Sequence, residues 1–297
     1  MYNDKNLINY KISSKGSLST GSFPSSCRKE KIYYKNFTPE NAADRRVVFV
    51  HDLFDHHGRY TNVVEELNGR LSWPFSFSFI DLKGHGLSSG VRSSVNNFHE
   101  LSSDLNYFLT EVIEDEKIIL IGHGLGALVV LDLFQNFAQT FSKKVIGVVL
   151  TNPLIKIKKE LPNINSVLRK MPSIEATKKI HVPFHFSGKE LTQCEVKALS
   201  YDSDPLVNHF MSYSFFCELL TKAKELRQAS YFIDFKTLLL LSWKDPICDH
   251  DMTTLFARGA DKELFTVKEF GEFKHDLFND LHNEKVFDAI ADWVKKL

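Results

Sequence analysis

Lys117–Phe134, KIILIGHGLGALVVLDLF, runs an apolar stretch into a turn set with glycines and then into a second apolar stretch with helical spacing. The pattern reads as strand, tight turn and helix. Two devices are built on such a turn. With serine at the centre of GHGLG it would be a nucleophile elbow, G-x-S-x-G; as written, Gly122, Gly124 and Ala127 also satisfy the relaxed dinucleotide fingerprint G-x-G-x-x-A. A lone glycine fingerprint has little weight, so the rest of the chain has to decide.

Outward from this turn, short β-branched or aromatic runs alternate with helix-length segments. RRVVFV (Arg45–Val50), FSFSFIDL (Phe75–Leu82), KIILIG (Lys117–Gly122) and VIGVVLT (Val145–Thr151) are followed much later by TLLLLSW (Thr237–Trp243) and LFTVKEF (Leu264–Phe270). Strands spaced by helices imply a mostly parallel sheet flanked by helices, the α/β class. KIYYKNF adds an early strand. The last helix, about Asn283 to Lys295, gathers Val286, Phe287, Ile290, Trp293 and Val294 on one face. Residues 1–30, rich in Ser, Gly and Lys over Lys11 to Ser26, read as a flexible lead-in. From 152 to 230 the alternation stops for longer than an ordinary connection allows, which predicts an inserted cap. The core is therefore 31–151 together with 231–297. The first half of the cap carries Lys156, Lys158, Lys159, Arg169, Lys170, Lys178, Lys179 and Lys189 against Glu160 and Glu175. Ile155, Ile157, Leu161, Phe184, Phe186, Phe210, Met211, Phe215, Phe216, Leu219 and Leu220 lie between and after them. An apolar underside with a basic rim suits a lipid surface or simply a solvated cap anchored on the sheet.

Bulk properties narrow the partners. The chain has 297 residues, and 37 Lys plus Arg balance 37 Asp plus Glu, so no global field favours nucleic acid. Cys27, Cys194, Cys217 and Cys248 are scattered without a C-x-x-C pair, and the first residues have no apolar signal core, which together predict reduced thiols in a cytoplasmic setting; contact with a membrane surface would come through the cap.

The dinucleotide reading requires the glycine turn in the first βαβ unit and an acidic residue at the end of the next strand. Strands precede IILIG, and the following strand ends LTNP, so both conditions fail. The elbow reading requires an acid after a late strand and then a histidine after the next one. SWKDP supplies Asp245 and EFKHDLF supplies His275, in that order.

Further stretches carry a resemblance over nearly the whole chain. FVHDLFDHHGRY resembles an HGxGEHxGRY motif, DLKGHGLSSG a DxxGHGxSxG loop, IGHGLGA a GHSxGG elbow, YDSDPL a cap motif ending SDPL, SWKDPICD an acid loop and FKHDLFND a histidine loop. In this order they are similar to the monoacylglycerol lipase and lysophospholipase group of α/β-hydrolases, classified with serine aminopeptidases. The resemblance implies an α/β-hydrolase fold with a helical cap and a long-chain lipid ester or acyl ligand as small-molecule partner. It implies no cofactor. By the same carry-over Asp245 would orient and stabilise the imidazole, His275 would act as general base and then acid, and the N–H groups of Leu53 and Leu125 would form the oxyanion hole. Cys248 falls close to the site in the family pattern, and a packing role is the plainer expectation. His51, Asp55, His56 and His57 crowd one short span, but the family motif accounts for most of it and no metal is expected.

The nucleophile position is Gly124, which has no hydroxyl to attack a carbonyl. His51 is followed by Asp52 where the family has Gly, and Phe54 stands where another Gly is common. A carboxylate aimed at a developing oxyanion would oppose it, so Asp52 is expected to be a turn residue facing solvent. Three readings follow: an inactivated variant of a lipid esterase, a natural relative that keeps the pocket to bind an acyl ligand or a protein partner, or a His275–Asp245 dyad that activates a water in the space left at position 124.

Overall fold

The computed structural model describes residues 15–297 apart from 43, 115–116, 142, 160–179, 229 and 231–232. Eight strands form one sheet in the order β1-β2-β4-β3-β5-β6-β9-β10. They are β1 (Gly16–Pro24), β2 (Lys31–Pro39), β3 (Arg46–Val50), β4 (Ser76–Ile80), β5 (Ile118–His123), β6 (Val145–Thr151), β9 (Thr237–Ser242) and β10 (Phe265–Phe270). β1 and β2 are antiparallel to their neighbours, and every pairing from β4 to β10 is parallel. The central strands are buried on both faces, which is why RVVFV and TLLLLS are nearly continuous apolar runs. Along β5 the side chains alternate: Ile118 and Leu120 join the apolar cluster beneath the cap, while Ile119 and Ile121 join the cluster on the opposite face.

Helices cover both faces. α1 (Asn62–Asn68) contacts the C-terminal helix α8 (Glu284–Val294), and both contribute to the second cluster. On the other face α2 (His99–Tyr107) packs against α3 (Leu125–Phe141). Val286, Phe287, Ile290 and Val294 of α8 are buried, and Trp293 packs partly buried beside them. Between β9 and β10 lies α7 (His250–Arg258).

Described cap residues form a two-stranded pair, β7 (His181–Val182) with β8 (Met211–Ser212), and the helices α4 (Gly188–Leu191), α5 (Glu195–Ser203) and α6 (Tyr213–Leu226). Phe184, Phe186, Phe215, Phe216 and Leu219 are buried, but Phe210 and Leu220 are exposed. Three of the described lysines act as fasteners: Lys156 pairs with Asp249 (2.7 Å), Lys158 Nζ donates to the Asp245 carbonyl (2.8 Å) and Lys159 pairs with Glu190 (2.9 Å); Lys189 is exposed. Leu161, Glu160, Arg169, Lys170, Glu175, Lys178 and Lys179, expected to extend the cap face, lie outside the described residues. No described helix is long and apolar enough to cross a membrane.

The expectation of a flexible lead-in over 1–30 is corrected for its second part. Gly16–Pro24 is an edge strand paired with β2 in register along its whole length. Most of its side chains face solvent, so the composition looks like linker, yet Phe23 is buried against Tyr107 and Phe108, and backbone pairing supplies the rest.

Candidate active site

The turn after β5 puts Gly124 in the left-handed region, φ +53°, where a side chain is disfavoured. Its N–H donates to the Thr151 carbonyl (3.0 Å), which fixes the turn against β6. α3 then departs so close to β3 that a Cβ at Gly126 would run into the Val50 carbonyl. The elbow reading of IGHGLGA is therefore the one the backbone adopts.

His275 lies after β10, fully buried, and its Nδ1 meets Asp245 Oδ2 at 2.7 Å. The other Asp245 oxygen accepts the N–H groups of Ile247 (2.7 Å) and Cys248 (3.0 Å). Asn152, at the end of β6, donates from Nδ2 to the His275 carbonyl (2.7 Å) and to Ser242 Oγ (3.0 Å), and accepts the Ser242 N–H (2.9 Å). It thereby ties the histidine loop to β9. The LTNP stretch held this residue in plain view, but only as a missing acid. Cys248 is a packing residue whose thiol donates to the Asn152 carbonyl (3.2 Å); burial, reinforced by Asp245, pushes its pKa up to about 12. It is no nucleophile in that state.

Asp52 is not a solvent-facing turn residue. It is 2 % exposed, and its carboxylate points into the elbow. Oδ1 accepts the Leu125 N–H at 2.7 Å, and Oδ2 meets His275 Nε2 at 3.0 Å. A Cβ built on Gly124 would overlap the same carboxylate. The volume that a serine side chain would fill is thus occupied by Asp52, and of the two expected oxyanion donors Leu125 already holds an anion. Leu53 follows in the same buried loop. The physical reason is charge: buried Asp52 finds a cation partner in His275 and a fixed N–H, whereas the expectation of solvent exposure weighed only its repulsion of an oxyanion.

His275 is held between two carboxylates. Burial by itself would depress its pKa, but Asp245 and Asp52 outweigh burial and hold it well above the ordinary histidine value. Burial likewise opposes ionisation of Asp52, and His275 and the Leu125 N–H more than offset this, keeping its carboxyl below the usual range. His123 stacks at a tilt on His275 with ring centroids 4.9 Å apart, and its Nδ1 is within 2.8 Å of Thr151 Oγ1. Asp52, His123 and His275 bring ligand-type atoms within 4.8 Å of one another, as do Asp245, Cys248 and His275. In both sets His275 already spends its nitrogens on carboxylates, so an ion would have to displace an existing pair.

The remaining motif residues build the floor and walls. Asp81 accepts the His57 N–H (2.7 Å) and the Leu87 N–H (2.7 Å) and pairs with the His57 ring. Asp55 pairs with Arg59 and accepts the Tyr60 hydroxyl (2.7 Å); Arg59 reaches on to Asp276 (3.0 Å), the neighbour of His275. His51 and His56 are thus spent on hydrogen bonds, His51 Nε2 accepting the Leu82 N–H and His56 Nε2 meeting Asp204 of the YDSDPL stretch at 3.0 Å, while His57 uses Nδ1 on Asp81 and its buried Nε2 has no partner among the described residues. Phe54, at φ +68°, accepts the Asn208 N–H at its carbonyl oxygen (3.0 Å), and its ring packs on Phe184 and Phe186 of the cap. Phe186 in turn stands over His275, with ring centroids 6.1 Å apart. The site therefore has an aromatic roof.

Known proteins share this architecture. The chain is 21% identical over 273 residues to the uncharacterized protein YnbC of Escherichia coli, covering 90% of this chain but only 45% of YnbC. It is 25% identical over 272 residues to human monoglyceride lipase, covering 89% of this chain and 87% of that one. The crystal structure of Paleococcus ferrophilus monoacylglycerol lipase superposes with a TM-score of 0.74 at 25% identity, over 94% of this chain and 99% of the other. The pattern that defines Hydrolase_4, serine aminopeptidase S33, matches residues 41–282. With the sheet order, the elbow and the Asp245–His275 pair on one site, the chain belongs to the serine aminopeptidase S33 family of α/β-hydrolases, on a monoglyceride-lipase-like scaffold.

Proposed function

We propose that this chain is a natural member of the lipase-like group that has given up serine chemistry and uses its pocket for a long-chain, lipid-like small molecule. One observation supports the reading above all others: the Asp52 carboxylate fills the serine volume and bonds both the Leu125 N–H and His275 Nε2. A Ser-to-Gly exchange made on an active esterase would leave Asp52 without an explanation. Gly124 and Asp52 instead form a complementary pair, the carboxylate taking the space that the absent side chain leaves. The water-activating dyad is not favoured either, because the space it needs holds the carboxylate. The ligand class follows from the aromatic roof of Phe54, Phe184 and Phe186 and from the likeness to monoglyceride lipases. Division into a core of 31–151 with 231–297 and a cap of 152–230 belongs to the same reading, as do a cytoplasmic setting and contact of the cap with a membrane surface; a protein partner on the cap is the alternative occupant.

The test has two arms. A fluorescent long-chain fatty acid should bind and be displaced by a monoacylglycerol that is recovered intact. A fluorophosphonate probe should leave the protein unlabelled. Absence of fatty-acid binding, or probe labelling that disappears on His275→Ala, would sink the proposal.

A further inference from the structure

We propose that Asp52 is itself a nucleophile, that it opens a long-chain epoxide held in this pocket, and that Tyr201 of the cap is the proton donor. The inference rests on the lipid-pocket reading and adds a reaction to it. A carboxylate is a competent covalent catalyst when its electrophile suits it. Attack on an ester carbonyl would give a mixed anhydride, more reactive than the ester it came from. Attack on a saturated carbon gives a stable ester, and the groups around Asp52 are those that hydrolyse one. Oδ1 already sits on the Leu125 N–H, where the oxyanion of a tetrahedral intermediate at Asp52 Cγ would form. Oδ2 faces His275 Nε2, the group that would activate water.

Tyr201 supplies the second, independent observation. It lies on α5, fully buried, with its ring against the Arg59 guanidinium (4.7 Å to the ring centroid). Its hydroxyl has no hydrogen-bond partner among the described residues. Burial, then Asp55 and Asp52, hold the phenol well above the ordinary tyrosine value, so it stays protonated, and the field of Asp52 reaches it. A buried hydroxyl without a partner is costly unless a ligand completes it. An epoxide oxygen needs a proton as its ring opens, whereas a departing halide does not; this selects the epoxide among saturated electrophiles.

The steps balance with water as the sole co-reactant. Asp52 Oδ2 attacks one ring carbon, the C–O bond to that carbon breaks, and the ring oxygen takes the Tyr201 proton. His275, protonated in the resting ion pair, returns a proton to the phenolate and becomes neutral. Esterification has neutralised Asp52, leaving His275 with Asp245 as its one carboxylate neighbour, so it is a base at this stage. It takes a proton from water, whose oxygen attacks Asp52 Cγ. Collapse expels the diol oxygen, which takes that proton, and the Asp52 carboxyl passes its own proton to His275 to restore the pair. Epoxide plus water has become a diol.

The experiment uses the whole chain with a terminal long-chain epoxide such as epoxydodecane. A single turnover in water carrying heavy oxygen should place the label in the Asp52 carboxylate and leave the diol unlabelled. His275→Gln should accumulate an adduct of one epoxide on the peptide containing residue 52, seen by mass spectrometry. Tyr201→Phe should slow ring opening on the order of 10²-fold while epoxide binding persists. Label appearing in the diol after one turnover would mean that water attacks the epoxide directly and would overturn the proposal. So would fatty-acid binding with neither diol nor adduct, an outcome that leaves the lipid-pocket reading standing. Loss of binding altogether would instead remove the reading beneath it.

Discussion

The two ends of the site have followed different rules. At the His275 end the acid, the imidazole and their supports are hydrogen-bonded throughout: Asp245 holds two N–H groups besides the ring, and Asn152 ties the loop to β9. At the elbow end the turn after β5 has no side chain at Gly124, and the group that meets His275 Nε2 is Asp52, from the loop after β3. Asp245 and His275 can pair without a side chain at position 124, because His275 Nε2 asks only for a polar partner about 3 Å away. The lesson is that position 124 cannot be read alone, because the Asp52 carboxylate occupies the space beside it.

The comparison breaks most sharply if serine function can be restored. Gly124→Ser alone should stay unreactive toward fluorophosphonate and be less stable, since the new side chain meets the Asp52 carboxylate. Asp52→Gly combined with Gly124→Ser should label and should hydrolyse a p-nitrophenyl ester at least ~10³-fold faster than the unaltered protein, the scale of a triad's contribution. Labelling of the single variant equal to that of the double would show that the two positions are independent.

Next in size is the ion pair itself. Asp52→Asn removes one charge of a buried pair and should cost roughly 3 kcal/mol of unfolding free energy, measured by urea denaturation. Its pH dependence carries a sign. His275 has a raised folded pKa, so its contribution is complete below the unfolded value near 6.5 and is lost as pH rises through the folded value. Asp52 has a lowered folded pKa, so its contribution is present above the unfolded value near 3.8 and is lost as pH falls through the folded one. In Asp52→Asn the alkaline loss should begin at lower pH. Imidazole titration by NMR that is identical in both proteins would contradict the pairing.

Smaller effects sharpen the same contrast. Asn152→Ala removes the brace of the histidine loop and should cost about 2 kcal/mol, with the His275 resonance broadened. Phe54→Gly relieves a positive φ worth about 1 kcal/mol but gives up burial of a ring worth about 2 kcal/mol, so the net loss should be about 1 kcal/mol by thermal unfolding. A stabilised Phe54→Gly protein would show that the cap rings contribute little at that point.

Much of this fold was legible because it is encoded locally. VVFV, IILIG and LLLL are strands from their own side chains, and the order elbow, Asp245, His275 survives any detail of packing. The lead-in was misjudged because β1 gains its order from the backbone of β2 rather than from its own apolar content. Asn152 was missed because its role lies entirely in contacts with Ser242 and the His275 loop. Lys156, Lys158 and Lys159 read as part of a basic rim facing lipid or solvent, because their partners, Asp249, the Asp245 carbonyl and Glu190, are set only by the fold.

The sequence alone determined the α/β architecture and the elbow and pointed to Asp245 and His275, which the structure brings together, since strand period, turn chemistry and chain order are one-dimensional properties. The direction of the Asp52 side chain was decided only by tertiary structure. Its partners are the Leu125 N–H on one side and His275 on the other, 73 and 223 residues along the chain, and a buried carboxylate points to wherever its cation and its donor are.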